Sequence, residues 1–407
     1  MRIGIDCRQI EKAGSMLAGV EYYTLNLVQN LLKRYPQDEF VLFFEKNNAN
    51  FLQANAKGAC FPFFKAKRFL PLVYSHYLTA RFIKKQKLDV FHAPANIIPL
   101  GYQGKSVVTI HDLAIYNHPE WFPKQSKFSQ NVSVPRSLRK ARKIISVSTA
   151  TKNQIIERFH IDPQKIKVVY EAGNTFLAHL KCNERMPKPF FVRAQLRDQG
   201  LGADKRARAK NDEGFKRVIN EFILFIGTLE PRKNLVRLIQ AFDECLQKLS
   251  PEQQNLQLVL AGKRGWKCEQ IDRAIESAKY KNNIQVLGYI TEEKKQKLLK
   301  NCSAFVFPSL WEGFGLPILE AMAAGVPVLT SRVSALPEVG GEGVWYIENP
   351  EDTTELAKSL SKLITATPAA LQELGNKGLV QAQKFTWQKT AHETYNIYKE
   401  VIKNRER

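Results

Sequence analysis

Short runs rich in β-branched and aromatic residues recur along the whole chain, each followed by a longer stretch of helical pattern. This alternation predicts parallel sheets built from βαβ units, because two parallel strands need a crossover between them and a helix supplies it. In the first half the runs are RIGID (2–6), FVLFF (40–44), DVFHA (89–93), SVVTI (106–110), KIISVS (143–148) and KIKVVY (165–170). In the second they are FILFIG (222–227), LQLVLAG (256–262), IQVLG (284–288), AFVFPS (304–309) and VPVLTS (326–331). Their nearly continuous apolar character predicts strands covered on both faces. A chain of 407 residues is too long for one compact core and fits two domains. The expected fold is therefore α/β, with two Rossmann-like doubly wound domains facing across a cleft.

Between the two series of strands, residues 174–221 offer no strand pattern and include the charged patch DKRARAKNDEGFKR. A structureless loop of that length is uncommon inside a compact domain, which puts the domain boundary near 190–220. The expected division is 1–200, 201–385 and a closing helix, 386–407. That helix carries Trp387, Ala391, Tyr395, Tyr398 and Ile402 at helical spacing. It must bury this stripe against one of the domains, and crossing back to the first is open to it.

With 44% hydrophobic and 25% charged residues, the chain reads as soluble and globular. MRIGIDCRQI lacks the regions of a secretory signal, and no stretch reaches the roughly 18 apolar residues of a membrane span, so a cytoplasmic location is expected. Six cysteines (Cys7, Cys60, Cys182, Cys245, Cys268, Cys302) are scattered without a CxxC pair. They point to reduced thiols, and to neither a disulfide framework nor a zinc site. The formal net charge of +22 calls for an anionic partner (nucleotide diphosphate, acidic glycan, anionic lipid or nucleic acid), unless it serves solubility alone.

The strand AFVFPS runs into LWEGFGLPILEAMAAG, where Pro317 suits the first turn of a helix and Gly325 its end. Glu312 then lies in the loop and Glu320 in the first turns of the helix. In doubly wound sheets ligands bind outside the carboxyl ends of the strands, where this loop must be. Gly313 and Gly315 let backbone amides come close to such a ligand. Carboxylates repel phosphate, so the two glutamates suit the hydroxyl groups of a ribose and a sugar. A phosphate would need cations, and FILFIGTLEPRKNL supplies Arg232 and Lys233 after another strand of the same sheet. Together these residues describe a nucleotide-sugar site. Taken singly, each has a plainer reading: a glutamate at a helix N-terminus often only complements the dipole, and an Arg-Lys pair is often a solvated face.

GTLEPRKN, LVLAGKRGW, VLGYIT and PSLWEGFGLPILEAMAAGVPVLTS…SALPEVGG resemble the C-terminal half of the retaining glycosyltransferases of family 4 (glycosyl transferases group 1), whose fold is GT-B. The spacing of Glu312 and Glu320 matches that family's E-x7-E motif. GVEYYTLNL, VTIHDL and FTWQKTAHETYNIYKEV are similar to its N-terminal loop, its His-bearing loop and its closing helix, so the resemblance covers nearly the whole chain. It implies that the first domain binds the acceptor and the second a nucleotide-diphosphate sugar. GDP-mannose is favoured, with a UDP-sugar next, in a bacterial mannosyl- or glucosyltransferase of cell-surface polysaccharide synthesis.

By the same resemblance, Glu320 binds the ribose, Glu312 faces the transferred sugar, Arg232 and Lys233 hold the leaving diphosphate, and His111, at the end of SVVTI, touches the donor sugar. Gly19 lets backbone approach the phosphate or acceptor, Gly227 belongs to the donor-binding set, amides near Phe314, Gly315 and Leu316 add hydrogen bonds, and Gly288 and Tyr289 meet the base. Many relatives carry arginine directly after the strand glycine, where this chain has Gly227-Thr228. The division of the phosphate contact between Arg232 and Lys233 stays open on that account. The implied mechanism is front-face transfer with retention, needing no metal and no cofactor, with a glycan or lipid-linked acceptor.

GSMLAG (14–19) is not GxGxxG, which weighs against a dinucleotide cofactor. Rival readings are a sugar-nucleotide epimerase or phosphorylase of similar fold, and a basic glycan- or nucleic-acid-binding protein with a decayed site. No nucleic-acid partner is expected, since Glu312, Glu320, Arg232, Lys233 and His111 are intact. Residues 62–87, PFFKAKRFLPLVYSHYLTARFIKKQK, interleave aromatic and basic residues without an acidic one. They read either as a membrane-surface element on the inner face of the cell membrane or as a helix whose apolar side is core.

Overall fold

A computed structural model describes residues 1–13, 19–45, 54–62, 70–122, 128–173, 221–251 and 253–403. The boundary expected at 190–220, Cys182, most of GSMLAG and residues 63–69 of the basic stretch lie outside the described residues. Contacts divide the chain into two units. Unit 1 comprises Met1–Gly173, Glu312–Leu316 and Phe385–Arg407; unit 2 comprises Asn174–Trp311 and Pro317–Lys384.

Unit 1 is built on seven parallel strands: β1 (Arg2–Asp6), β2 (Glu39–Phe44), β3 (Ala56–Cys60), β4 (Val90–Ala93), β5 (Ser106–Ile110), β6 (Lys143–Ser146) and β7 (Ile166–Val168). Their order is β3-β2-β1-β4-β5-β6-β7. Unit 2 has six: β8 (Phe222–Ile226), β9 (Gln257–Ala261), β10 (Ile284–Gly288), β11 (Ala304–Phe307), β12 (Val328–Ser331) and β13 (Trp345–Ile347). Their order is β10-β9-β8-β11-β12-β13, the same winding. In each sheet the first strand pairs with both the second and the fourth. Ile3 lies opposite Phe40 and Val90, and Leu224 lies opposite Val259 and Phe305. The winding therefore reverses at β1/β4 and at β8/β11. Loops leaving the carboxyl ends of those strands run to opposite faces of the sheet and leave room for a ligand.

Every residue of β4, β5, β9, β11 and β12 is buried, as strands covered on both faces require. The apolar pattern does not reveal β3 (AKGAC) or β13 (WYI), which are edge strands. An edge strand has one neighbour and needs no continuous apolar run, and four of the five residues of β3, Lys57, Gly58, Ala59 and Cys60, are exposed or half-buried.

The helix Trp387–Lys403 belongs to unit 1. Tyr398 Oη and His92 Nδ1 stand 2.7 Å apart, and Tyr395 Oη donates to Asp38 Oδ2 at 2.6 Å while its ring stacks on Tyr35 at 3.5 Å. Lys143 Nζ pairs with Glu400 at 2.6 Å. Trp387, Ala391, Tyr395 and Tyr398 are buried as the spacing predicts, whereas Ile402 is half-buried and Val401 takes the inner position. Ile402 lies at the rim of the stripe in the last turn, where its carbonyl accepts from Lys105 Nζ (2.9 Å).

Candidate active site

In unit 2 the chain leaves β8 through Gly227-Thr228-Leu229-Glu230 and makes one tight turn, Pro231–Lys233. Proline presets φ for that turn. Asn234 closes it in the left-handed region (φ 61°) and opens the helix Leu235–Lys248. Gly262, after β9, approaches Gly227 so closely that a Cβ on it would lie 1.8 Å from the Gly227 carbonyl oxygen. Gly262 N also donates to Gly288 O (2.8 Å), so the ends of β8, β9 and β10 are drawn together.

The turn places Arg232 and Lys233 at the reversal of winding. Arg232 Nε and Nη2 donate to Glu230 Oε1 at 3.1 and 2.9 Å, and Nη1 donates to the Trp311 carbonyl at 3.0 Å. Leu310 N returns a bond to the Arg232 carbonyl at 2.9 Å. The loops after β8 and β11 are thereby stitched to each other within unit 2. Lys233 is almost wholly buried, its Nζ 4.8 Å from the centre of the Phe307 ring. A ring face there favours the charged ammonium. Two adjacent cations in a poorly hydrated place suit a diphosphate, whose charge is weakly screened there.

Glu320 lies in the second turn of the helix Leu316–Ala323 and is buried. Its Oε1 accepts from Lys295 Nζ at 2.6 Å, and the same ammonium reaches Glu292 Oε2 at 2.9 Å. Lys295 comes from the helix Glu292–Asn301, which Thr291 caps through Lys294 N. Burial pushes the Glu320 carboxyl up, and Lys295 only partly opposes this. Burial lowers Lys295, but the two carboxylates outweigh it and raise it overall. Two carboxylates share one ammonium, which keeps the pair ionised and leaves the second oxygen of Glu320 to accept from hydroxyl groups. Gly288 sits just before that helix with φ 66° and open space where a Cβ would be, and Tyr289 beside it is 42% exposed.

In unit 1, His111 follows β5 and is buried. Its Nε2 donates to the Pro94 carbonyl (2.7 Å), and Nδ1 faces Glu171 Oε1 (2.8 Å). Both neighbours are acceptors, so the ring holds both protons and Glu171 is its counterion. Burial pulls the pKa of His111 down, but the Glu171 hydrogen bond and charge, helped by the Pro94 carbonyl, hold it above the ordinary histidine value. Tyr23 meets the ring edge to face at 4.8 Å, one turn after Gly19, which starts the helix Val20–Arg34 with φ 51°. Gly313, which groups with unit 1, has no room for a side chain: a Cβ would lie 1.8 Å from the His111 carbonyl oxygen. Thr151 Oγ1 reaches the Gly313 carbonyl at 3.4 Å. Phe314 packs with Tyr170 and Phe385, so its ring is core, and only its backbone can serve a ligand. Gly315 takes φ 110°, Leu316 follows it at the helix start, and Glu312 is buried.

The structure thus gathers Gly227, Arg232, Lys233, Gly288, Tyr289 and Glu320 at one end of the second sheet, and Gly19, His111, Glu312, Phe314, Gly315 and Leu316 within or beside unit 1. Sequence reasoning missed Lys295 and Glu171. Lys295 is one of several lysines in EEKKQKLLKN, and Glu171 follows a three-residue strand, so neither carries a signal of its own. Among the described residues, no group of three or more His, Cys, Asp or Glu side chains is placed to hold a metal ion.

The family model for glycosyl transferases group 1 matches residues 208–380, and that for Glycosyltransferase Family 4 matches residues 17–174. The chain belongs to this glycosyltransferase family. O-antigen chain mannosyltransferase B of Escherichia coli is 29% identical to this glycosyltransferase over 405 residues, spanning 94% of this chain and 96% of that protein. O-antigen chain mannosyltransferase RfbU of Salmonella typhimurium is 24% identical over 316 residues, 77% of this chain and 76% of that protein. Among solved structures, sucrose-phosphate synthase from Thermosynechococcus elongatus aligns with a TM-score of 0.71 at 19% identity, over 98% of this chain and 99% of that one. Anabaena HepE in complex with UDP-glucose aligns with a TM-score of 0.68 at 18% identity, over 98% and 100%. The fold of the glycosyltransferase is GT-B. No helix among its described residues is long and apolar enough to cross a membrane.

Proposed function

We propose that this glycosyltransferase moves a hexose from a nucleotide-diphosphate sugar, GDP-mannose being the favoured donor and a UDP-sugar the alternative, to a glycan or lipid-linked acceptor of a cell-surface polysaccharide. Transfer proceeds with retention and without a metal or cofactor, at the cytoplasmic side of the cell membrane. The observation that carries the reading is the grouping of Arg232 and Lys233 after β8 with the buried Glu320 carboxylate on the helix after β11. Cations suit the diphosphate and the carboxylate suits the ribose hydroxyls. The O-antigen mannosyltransferases among the relatives support mannose as the sugar.

In this reading the bond between the anomeric carbon and the diphosphate oxygen breaks, and the acceptor oxygen bonds to the same face. The acceptor proton passes to the departing phosphate oxygen. Arg232 and Lys233 stabilise the charge that grows on the diphosphate, an interaction stronger in the transition state than in the ground state. Glu312 and His111 are assigned to the transferred sugar; the His111 imidazolium has a proton on Nε2 to donate, now directed at the Pro94 carbonyl.

The test is a donor screen by thermal shift and by release of nucleoside diphosphate. A donor at 100 times its Kd stabilises by about 2.7 kcal/mol. GDP-mannose is expected to stabilise the protein and, with acceptor, to release GDP, give an α-linked product and tolerate EDTA. Turnover of UDP-sugars alone would reassign the donor, and activity lost in EDTA and restored by a divalent cation would overturn the metal-free mechanism. Neither stabilisation nor turnover with any nucleotide sugar would leave a binding protein as the better account. Glu320→Ala separates the assignments further: it should weaken GDP binding by about 1.5–3 kcal/mol per lost charged hydrogen bond.

A further inference from the structure

Seven of the ten exposed large apolar side chains among the described residues fall in two segments of unit 1. Leu70, Leu72, Val73, Tyr77 and Leu78 lie on or just before the helical stretch from Pro71 to Lys85, and Phe128 and Val132 open the one that ends at Lys140. The segments touch. The rings of Phe128 and His76 are 5.8 Å apart, Gly101 N donates to the His76 carbonyl (3.0 Å), and Lys140 Nζ donates to the adjoining Leu100 carbonyl (3.1 Å).

Beside this apolar face lies a pocket of about 520 Å³ lined by Arg136, Arg139, Lys140, Gln103, Asn131 and Val132. It has three cations and no acidic lining residue, and among the described residues none of the three has a carboxylate partner. Residues 70–87 and 128–140 contain no Asp or Glu, whereas Arg81, Lys84, Lys85 and Lys87 line the far end of the first segment. Burial, and next the charge of Arg136, hold the Lys140 pKa below the ordinary lysine value, as crowding of cations without an anion does.

We propose that the apolar face and the basic pocket form one docking surface for an anionic phospholipid bilayer, with Arg136, Arg139 and Lys140 receiving a lipid phosphate. Leucine, valine and aromatic side chains enter the headgroup boundary, while arginine and lysine stems follow them and keep their charges at phosphate level. Charge complementarity favours a bilayer: the two segments that carry the exposed apolar side chains hold seven Lys or Arg residues and no Asp or Glu. The proposal is independent of the donor and of the transfer reaction, and its test needs neither.

The full chain is sedimented with vesicles of phosphatidylcholine, and with vesicles of an equimolar mixture of phosphatidylcholine and phosphatidylglycerol, at low and high salt. Binding is expected to the mixed vesicles at low salt, to fall at high salt and to be small with phosphatidylcholine. Each cation at an anionic surface strengthens binding about fivefold, so Arg136→Gln, Arg139→Gln and Lys140→Gln together should weaken it on the order of a hundredfold. Leu72→Ser with Tyr77→Ser leaves the pocket intact and should also weaken binding; urea unfolding confirms that each variant is folded. Equal binding to both vesicles, or an unchanged triple variant, would overturn the proposal. So would inorganic phosphate occupying the pocket without any vesicle binding, which would mark a site for a soluble anion. Vesicle-free dimerisation abolished by Leu72→Ser with Tyr77→Ser would assign the face to a second copy and likewise overturn it.

Discussion

Replacing Lys295 by methionine keeps the stem and deletes the charge between Glu320 and Glu292. Glu292 is half-exposed and loses little, but Glu320 is buried and left without its counterion. Breaking a buried pair on one side costs about 3–5 kcal/mol when the remaining charge must persist. Glu320 has another course, which is to take a proton. From an ordinary carboxyl value of 4.5, protonation costs about 3 kcal/mol near pH 7 and less than about 1 kcal/mol near pH 5. The cost to Lys295→Met is therefore capped at these two figures. The direction follows from linkage: a carboxyl whose folded pKa is raised binds more protons folded than unfolded, so stability declines as pH rises above 4.5 toward the folded value. Urea unfolding at the two pH values should show a destabilisation that is large at neutral pH and nearly absent at the lower. Adding Glu320→Gln should restore most of the loss, because a neutral pair no longer carries a buried charge. An equal loss at both pH values, or no rescue by Glu320→Gln, would refute the pairing as the source of the cost.

Replacing Arg232 and Lys233 together by glutamine should lower kcat more than it raises KM for the donor, and a raised KM with unchanged kcat would mark them as ordinary binding groups. Gly313→Ala should lower the unfolding midpoint and abolish transfer, since its Cβ cannot occupy a position 1.8 Å from the His111 carbonyl oxygen; a variant with unchanged Tm would contradict that packing. The wild type should lose stability as pH rises through the elevated His111 pKa, a contribution fully present below 6.5, and Glu171→Gln should flatten that slope; matching slopes in urea titrations would count against the ion pair. Tyr398→Phe should cost about 1–3 kcal/mol, because it leaves His92 Nδ1 unsatisfied in a buried place. Burial, with the nearby His111 charge, holds His92 at about 3, so it is neutral at all working pH values and this loss should not vary with pH in the same titrations.

The fold was legible where burial writes itself into the residue pattern. Runs such as SVVTI and AFVFPS are covered on both faces, and that demands an apolar residue at every position. AKGAC and WYI pair on one side only and carry no such demand. Arg232, Lys233 and Glu320 were legible because Pro231, Pro317 and the flanking glycines mark where strands give way to helices, which fixes the end of the sheet they occupy. Lys295 and Glu171 act through partners distant in sequence, by 25 and 60 residues, and such pairings leave no local trace. The engagement of both His111 nitrogens was hidden for the same reason. So was the role of Phe314, whose ring belongs to the core while its backbone lies in the loop.

Unit 1 is discontinuous in the chain: its sheet is complete by Val168, yet the helix Trp387–Lys403 that covers Asp38, His92 and Lys143 follows the whole of unit 2. A ribosome delivers residues in order, so the earlier part of unit 1 emerges without the partners that the helix gives Asp38, His92 and Lys143, and the Tyr35 ring without its stacking partner. Unit 2, whose two segments are interrupted only by Glu312–Leu316, is the first to have nearly all of its own residues available. The order of synthesis and the order of completion are therefore reversed. A nascent chain awaiting this helix holds an unfinished first unit, and emergence of Trp387–Lys403 is the event that supplies what unit 1 lacks.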